Sequence, residues 1–119
     1  MKKTLIIGAS TNPDRYAYKA AQSLAAHHHA IELLGVKCGK LLGESIHTNK
    51  IDFVNIDTIT LYVGPKNQPE YYDYVIGLKP RRVIFNPGTE NPDFEALLLK
   101  NNIEVLEACT LVMLSIGMY

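Results

Sequence analysis

The chain has 119 residues, 47% of them hydrophobic, and 12 Lys+Arg balance 12 Asp+Glu to a formal net charge of zero. That length gives one domain, residues 1–119, with room for a core. The balanced charge excludes a general nucleic-acid or membrane-surface binder, which needs a basic excess.

No apolar run approaches the roughly 20 residues of a membrane span. Met1-Lys2-Lys3 followed only by Thr4-Leu5-Ile6-Ile7 is too short for a secretory signal. Cys38 and Cys109 are far apart and form no CxxC pair. A reduced, cytoplasmic protein without a disulfide framework is expected.

In chain order, a short apolar strand is expected over Thr4–Gly8, then a helix from Tyr16 to His28. The helix places Ala17, Ala20, Ala21, Leu24 and Ala25 on one face. A second strand is expected over Ala30–Val36. Lys37–Lys50, with glycines and little periodicity, reads mostly as loop. A third strand covers Asp57–Val63 and ends in Gly64-Pro65. Gln68-Pro69-Glu70 starts a helix with an apolar stripe of Tyr72, Val75 and Ile76, and Lys79-Pro80 ends it. A fourth strand is Arg82–Asn86. Asn91 then reads as an N-cap with Pro92 at the first helical position, Phe94, Leu97 and Leu98 as the buried face, and Asn101-Asn102 as the stop. A fifth strand covers Glu104–Leu106. The apolar tail Cys109–Tyr119 is a short helix or extended cover, usable as core or as a homodimer contact.

Five strands interleaved with helices imply an α/β fold with a parallel sheet covered on both faces. Ligands bind such sheets at the carboxyl ends of the strands. Attention therefore falls on four turns: Gly8–Arg15, Val36–Gly39, Val63–Lys66 and Asn86–Asn91.

The first turn carries the strongest chemistry. Gly8 permits a sharp exit from the strand. Main-chain amides just past it, with Ala9, Ser10 and Thr11, join the positive end of the following helix to form a natural phosphate cradle. Arg15 offers a fork of donors to a phosphate. The motif is not GxGxxG, because Ser10 and Pro13 stand at the second and third glycine positions, which counts against ordinary NAD binding. Lys37, where an NAD site usually has an acid, suits a phosphate on the ribose, as in coenzyme A or NADP, and equally a solvated surface lysine. Val63-Gly64-Pro65 leaves room for a flat group or makes a simple turn.

Glu90, in the loop Asn86–Asn91, suits a cap or loop hydrogen bond better than a general base. His27-His28-His29 point about 100° apart on a helix and cannot converge on one metal ion. Arg81-Arg82 read as solvated charges at the opposite end of the sheet, and Cys38 and Cys109 have no identified activator.

Taken together, Gly8-Ala9-Ser10-Thr11-Asn12-Pro13-Asp14-Arg15-Tyr16, Val63-Gly64-Pro65, Arg82–Asn91 and Ala108–Leu114 resemble the small stand-alone CoA-binding domain proteins. These are similar to the N-terminal CoA-binding domain of the succinyl-CoA synthetase α subunit. The resemblance implies a Rossmann-like three-layer sandwich with a five-stranded parallel sheet in the order 3-2-1-4-5. It implies coenzyme A or an acyl-CoA across the strand ends. Gly8, Ser10 and Arg15 would face the phosphates and Lys37 the adenosine end. Val63, Gly64 and Pro65 would line the ligand, and Asn86 and Gly88 would approach the pantetheine side. The family's usual Val-Asn-Pro after the second strand is Val36-Lys37-Cys38 here, a departure that bears on the adenosine contacts.

The chain is too short for the phosphorylated histidine and partner domains of the synthetases, so the resemblance implies binding rather than thioester synthesis. An NAD(P)-dependent or other nucleotide-dependent enzyme is one rival reading. An interaction protein with a degenerate nucleotide site is another.

Overall fold

In the computed structural model, which describes residues 1–119, the aliphatic run that opens the chain is a strand buried on both faces. The elements are β1 (Thr4–Ile7), α1 (Tyr16–Ala26), β2 (Ile31–Leu34), β3 (Gly39–Leu41), β4 (Glu44–His47), β5 (Thr58–Leu61), α2 (Tyr72–Leu78), β6 (Arg82–Phe85), α3 (Pro92–Lys100), β7 (Glu104–Glu107) and α4 (Thr110–Ser115). Two 3-10 turns, Pro65–Asn67 and Pro69–Tyr71, lead into α2.

The strands form one sheet in the order β3-β4-β2-β1-β5-β6-β7. All neighbours are parallel except β3 and β4, which pair antiparallel. Two expectations are corrected here. The sheet has seven strands rather than five, and Lys37–Lys50 is not mostly loop. The extra pair is a hairpin whose turn residues, Leu42 and Gly43, both have positive φ, +55° and +79°. That is the geometry of a tight hairpin turn that usually selects Asn-Gly or Asp-Gly. Leucine at the first turn position hides the hairpin from sequence reading. With the antiparallel β3 set aside, the parallel strands run 3-2-1-4-5-6, and β4 occupies the third place, where the sequence predicts Asp57–Val63.

Alternation along the strands divides the core. Leu5 and Ile7 of β1, with Ile59, Leu61, Val83 and Phe85, pack under Val75 of α2 and Phe94 and Leu98 of α3. Ile6 and Leu33 face the other way, onto Ala17, Ala21 and Leu24 of α1 and Leu114 of α4. Both faces are thus covered, which is why the central strands read as continuous apolar runs. Small residues on α1 let it lie close to the sheet. α3 starts as expected: Asn91 accepts the Phe94 N–H at 3.2 Å, and Glu95 returns a carboxylate to the Asn91 N–H at 3.0 Å.

Arg82 corrects another expectation. It is buried, not solvated, with Nε donating to Thr58 Oγ1 at 2.8 Å and its guanidinium 4.5 Å from the centre of the Tyr119 ring. The Tyr119 hydroxyl reaches Thr4 Oγ1 at 2.5 Å. The apolar tail therefore divides: Thr110 and Leu114 are core, whereas Val112, Ile116 and Met118 are exposed. No helix is long and apolar enough to cross a membrane.

Arg81 does lie at the surface, 3.1 Å from Asp57 and 3.6 Å from Glu104. Burial pushes the Asp57 carboxyl up, but hydrogen bonds from Arg81 and Thr58 and the Arg81 charge outweigh it, holding the group below its usual range. A depressed carboxylate stabilises the fold above its unfolded pKa, and that contribution is lost as pH falls through the folded value. The stability difference between wild type and Arg81→Gln in urea is therefore expected to shrink from about pH 6 to about pH 3. A difference that stays constant would remove the pairing from the stability of the fold.

Candidate functional site at the carboxyl ends of the strands

Gly8 leaves β1 with φ +98°, a conformation open to glycine at little cost. A Cβ there would also stand 2.9 Å from the Tyr62 carbonyl oxygen. The amides of Gly8 and Ala9 both donate to the Leu34 carbonyl at 2.9 Å, fastening the turn to the end of β2. Amides free of any acceptor within the chain therefore begin at Ser10 and Thr11, not at Ala9.

The turn then closes on itself. The Asn12 N–H donates to Ser10 Oγ, the Asp14 N–H to Asn12 Oδ1 and the Arg15 N–H to the Asn12 carbonyl, each at 3.0 Å. Arg15 is the N-cap of α1 and supplies no side-chain cap. The first-turn amides of α1, from Tyr16 on, thus keep their donors, and the helix dipole makes this end positive.

The other loops are packed against this turn. A Cβ at buried Gly35 would collide with the Ala9 carbonyl oxygen, and one at Gly39 would meet Thr11 Cγ2 at 2.8 Å. The hairpin β3–β4 continues directly from this contact. On the other side, Val63 and Gly64 follow β5, and their amides also lack acceptors within the chain. A Cβ at Gly64 would meet open space. Beyond β6, the Gly88 N–H donates to Glu90 Oε1 at 2.8 Å, so Glu90 serves its own loop.

These turns enclose a cleft of about 1070 Å³. Gly8, Ala9, Ser10, Thr11, Arg15, Lys37, Val63, Gly64 and Gly88 all line it. Pro65 and Asn86 do not. Pro65 starts a 3-10 turn at the surface. Asn86 is buried and its side-chain amide is fully engaged: Nδ2 donates to Thr60 Oγ1 at 2.6 Å and to the Leu61 carbonyl at 2.9 Å, and Oδ1 accepts the Thr110 N–H at 2.9 Å. It joins β5, β6 and α4 rather than facing the cleft.

Sequence reasoning missed Tyr62, Asn67, Glu70 and Tyr71 on the wall. Tyr62 follows β5 directly, so its place in the chain was the available signal. Its hydroxyl is buried without a hydrogen-bond partner, and burial pushes its pKa up to about 12. The phenol is therefore a neutral wall residue at physiological pH. The charged groups on the wall are Arg15 and Lys37 against Asp14 and Glu70. Glu70 is paired with Lys50 at 3.6 Å, which leaves the phosphate-turn side with a local positive excess. The histidines are spent separately: His27 Nδ1 lies 2.7 Å from the Ser23 carbonyl oxygen, and His29 Nδ1 accepts the Lys2 N–H at 2.9 Å.

Comparison with known proteins agrees with this architecture. A crystal structure of an uncharacterized protein is 50% identical, with TM-score 0.98 over 100% of this chain and 98% of that one. A protein from Thermus thermophilus is 21% identical, with TM-score 0.86 over 99% and 90% of the two chains. A hypothetical protein from Pyrococcus horikoshii OT3 is 24% identical, with TM-score 0.86 over 93% and 80%. The last two establish a common fold. No curated protein matches the chain at a significant level. A family profile described as a CoA binding domain matches residues 2–115, nearly the whole chain. The cleft described above thus sits in a chain that belongs to the CoA binding domain family.

Proposed function

We propose that this protein binds coenzyme A or an acyl-CoA, as a binding or regulatory module rather than as an enzyme. One observation carries the reading. The unpaired amides of Ser10 and Thr11 and the first turn of α1 share a cleft wall with Arg15 and Lys37. Such donors match a diphosphate, and the family supplies the cofactor class. The cleft, at about 1070 Å³, lies just above the roughly 300–1,000 Å³ range of small-molecule sites, which suits a long ligand better than a mononucleotide.

In this reading the diphosphate lies on residues 10–17, the adenosine runs toward Lys37 and Val63-Gly64, and the pantetheine arm passes Gly88. Lys37 in the place of a ribose-binding acid favours a phosphorylated ribose over NAD. Of the two carboxylates on the cleft wall, Asp14 and Glu70, the second is paired with Lys50, and Glu90 in the loop after β6 holds the Gly88 amide.

A thermal-shift panel of CoA, acetyl-CoA, NAD, NADP and ATP tests the assignment. A ligand at 100 times its Kd stabilises by about 2.7 kcal/mol, which moves Tm by several degrees. CoA and acetyl-CoA are expected to do so, with NAD and ATP without effect. Stabilisation by NADP alone would replace the cofactor assigned here.

A further inference from the structure

Gln68 is completely buried, yet it lies in the short surface segment between β5 and α2. Its side chain bridges two walls of the cleft. Nε2 donates to the Val63 carbonyl at 2.8 Å and to the Thr89 carbonyl at 2.7 Å. Oε1 accepts from Asn91 Nδ2 at 2.9 Å. Asn91 Nδ2 donates also to the Tyr72 hydroxyl at 2.9 Å, and Asn91 Oδ1 caps α3. Both Val63 and Thr89 line the cleft. No main-chain hydrogen bond joins the loop 62–67 to the loop 86–91, so this one amide carries the hydrogen-bonded connection between them.

We infer that Gln68 is a positioning residue: it fixes the spacing between the loops after β5 and β6, and so sets the width of the half of the cleft that lies away from the phosphate turn. Only a primary amide of this length satisfies the arrangement, because two carbonyls need two donors from one nitrogen while a neighbouring amide needs an acceptor. Glutamate would set oxygens against both carbonyls. Methionine would match the shape and leave two buried acceptors and one donor unsatisfied. The inference rests on the CoA reading for what occupies that half, and its consequence is selective. A ligand reaching across to Val63 and Gly88 feels the spacing, whereas an anion held only by residues 10–17 does not.

The test uses Gln68→Met with two probes, CoA and inorganic pyrophosphate, and hydrogen exchange on the ligand-free protein. CoA affinity is expected to fall about tenfold, with pyrophosphate affinity changed less than about twofold. Exchange is expected to accelerate together at Asn67 and at Gly88 and Thr89, whose amides are hydrogen-bonded within their loops, and to stay unchanged in α1. Parallel loss of both ligands, or unaltered CoA affinity despite faster exchange, would overturn the inference. Wild-type protein that takes up no CoA would instead remove the cofactor reading; joint acceleration in the two loops would still support the positioning role, and unchanged exchange would end it. If Gln68→Met does not fold, Asn91→Asp keeps an acceptor at the cap of α3, removes the donor to Gln68 Oε1 and leaves the Tyr72 hydroxyl to act as donor instead of acceptor. The same pattern is then expected at smaller size, and its absence overturns the inference.

Discussion

Gly8→Val is expected to destabilise the protein by about 2–5 kcal/mol and to abolish CoA binding in whatever fraction stays folded. Two costs combine. The native φ of +98° lies where side-chain-bearing residues are strained by about 1–3 kcal/mol, more for a β-branched one. The new Cβ would also stand 2.9 Å from the Tyr62 carbonyl oxygen and 3.0 Å from its carbon. Those are backbone atoms of the next parallel strand, which cannot swing aside as a side chain does. The Tyr62 N–H is itself bonded to the Ile7 carbonyl at 2.9 Å, so the strand ends would have to part. Relief of the clash would shift the amides of Ser10 and Thr11, which the proposed diphosphate needs. Gly64→Ala is the matched control: it lines the same cleft, but a Cβ there meets nothing within 4 Å and its φ is −62°. That change is expected to lie within about 0.5 kcal/mol of wild type in urea denaturation. Equal stability of the two variants would contradict the packing of the first turn against β5.

The contrast between these glycines illustrates what the sequence makes legible. Gly8 announces itself because an aliphatic strand, a glycine and a Ser-Thr-Asn-Pro turn follow one another within a few residues. Asn91 with Pro92 announces the start of α3 for the same reason, since capping is settled locally. The four turns at the strand ends were identifiable from strand–helix alternation alone, and nine of the eleven residues named from them line the cleft. Failures occur where the deciding partner is distant. Arg82 reads as a surface charge until Tyr119, from the end of the chain, covers it. Asn86 reads as a loop donor until Thr60, Leu61 and Thr110 claim its amide. Gln68 reads as an ordinary helix-start residue, and its partners Val63, Thr89 and Asn91 converge only in the folded chain. The hairpin of β3 and β4 was hidden for a local reason, a leucine in a turn that favours asparagine or aspartate. Because β4 enters the sheet beside β2, the strand after it lies on the far side of β1.

Arg15→Glu is expected to weaken CoA binding about 100-fold and Arg15→Ala about tenfold, with little effect on stability. Arg15 is exposed, forms no ion pair within the chain and lends no side-chain cap to α1. The fold therefore gives it no structural duty that substitution would disturb. Its position at the N-cap puts a guanidinium beside the free amides of the first turn, so a diphosphate held there would gain a charge-assisted contact worth about 1.5–3 kcal/mol. Glutamate adds repulsion to the loss, against both the ligand and the neighbouring Asp14. Exposed charges are screened by salt, so the difference between wild type and Arg15→Ala should narrow as ionic strength rises. Pantetheine, which has no diphosphate, should bind wild type and variant alike. The proper comparison is Arg81→Ala, since Arg81 is exposed at the opposite end of the sheet and engaged with Asp57 and Glu104. Buried Arg82 would confound binding with unfolding. Calorimetry giving the same CoA affinity for wild type, Arg15→Ala and Arg81→Ala would take Arg15 out of the phosphate site. The diphosphate would then have to rest on main-chain amides and the helix dipole alone.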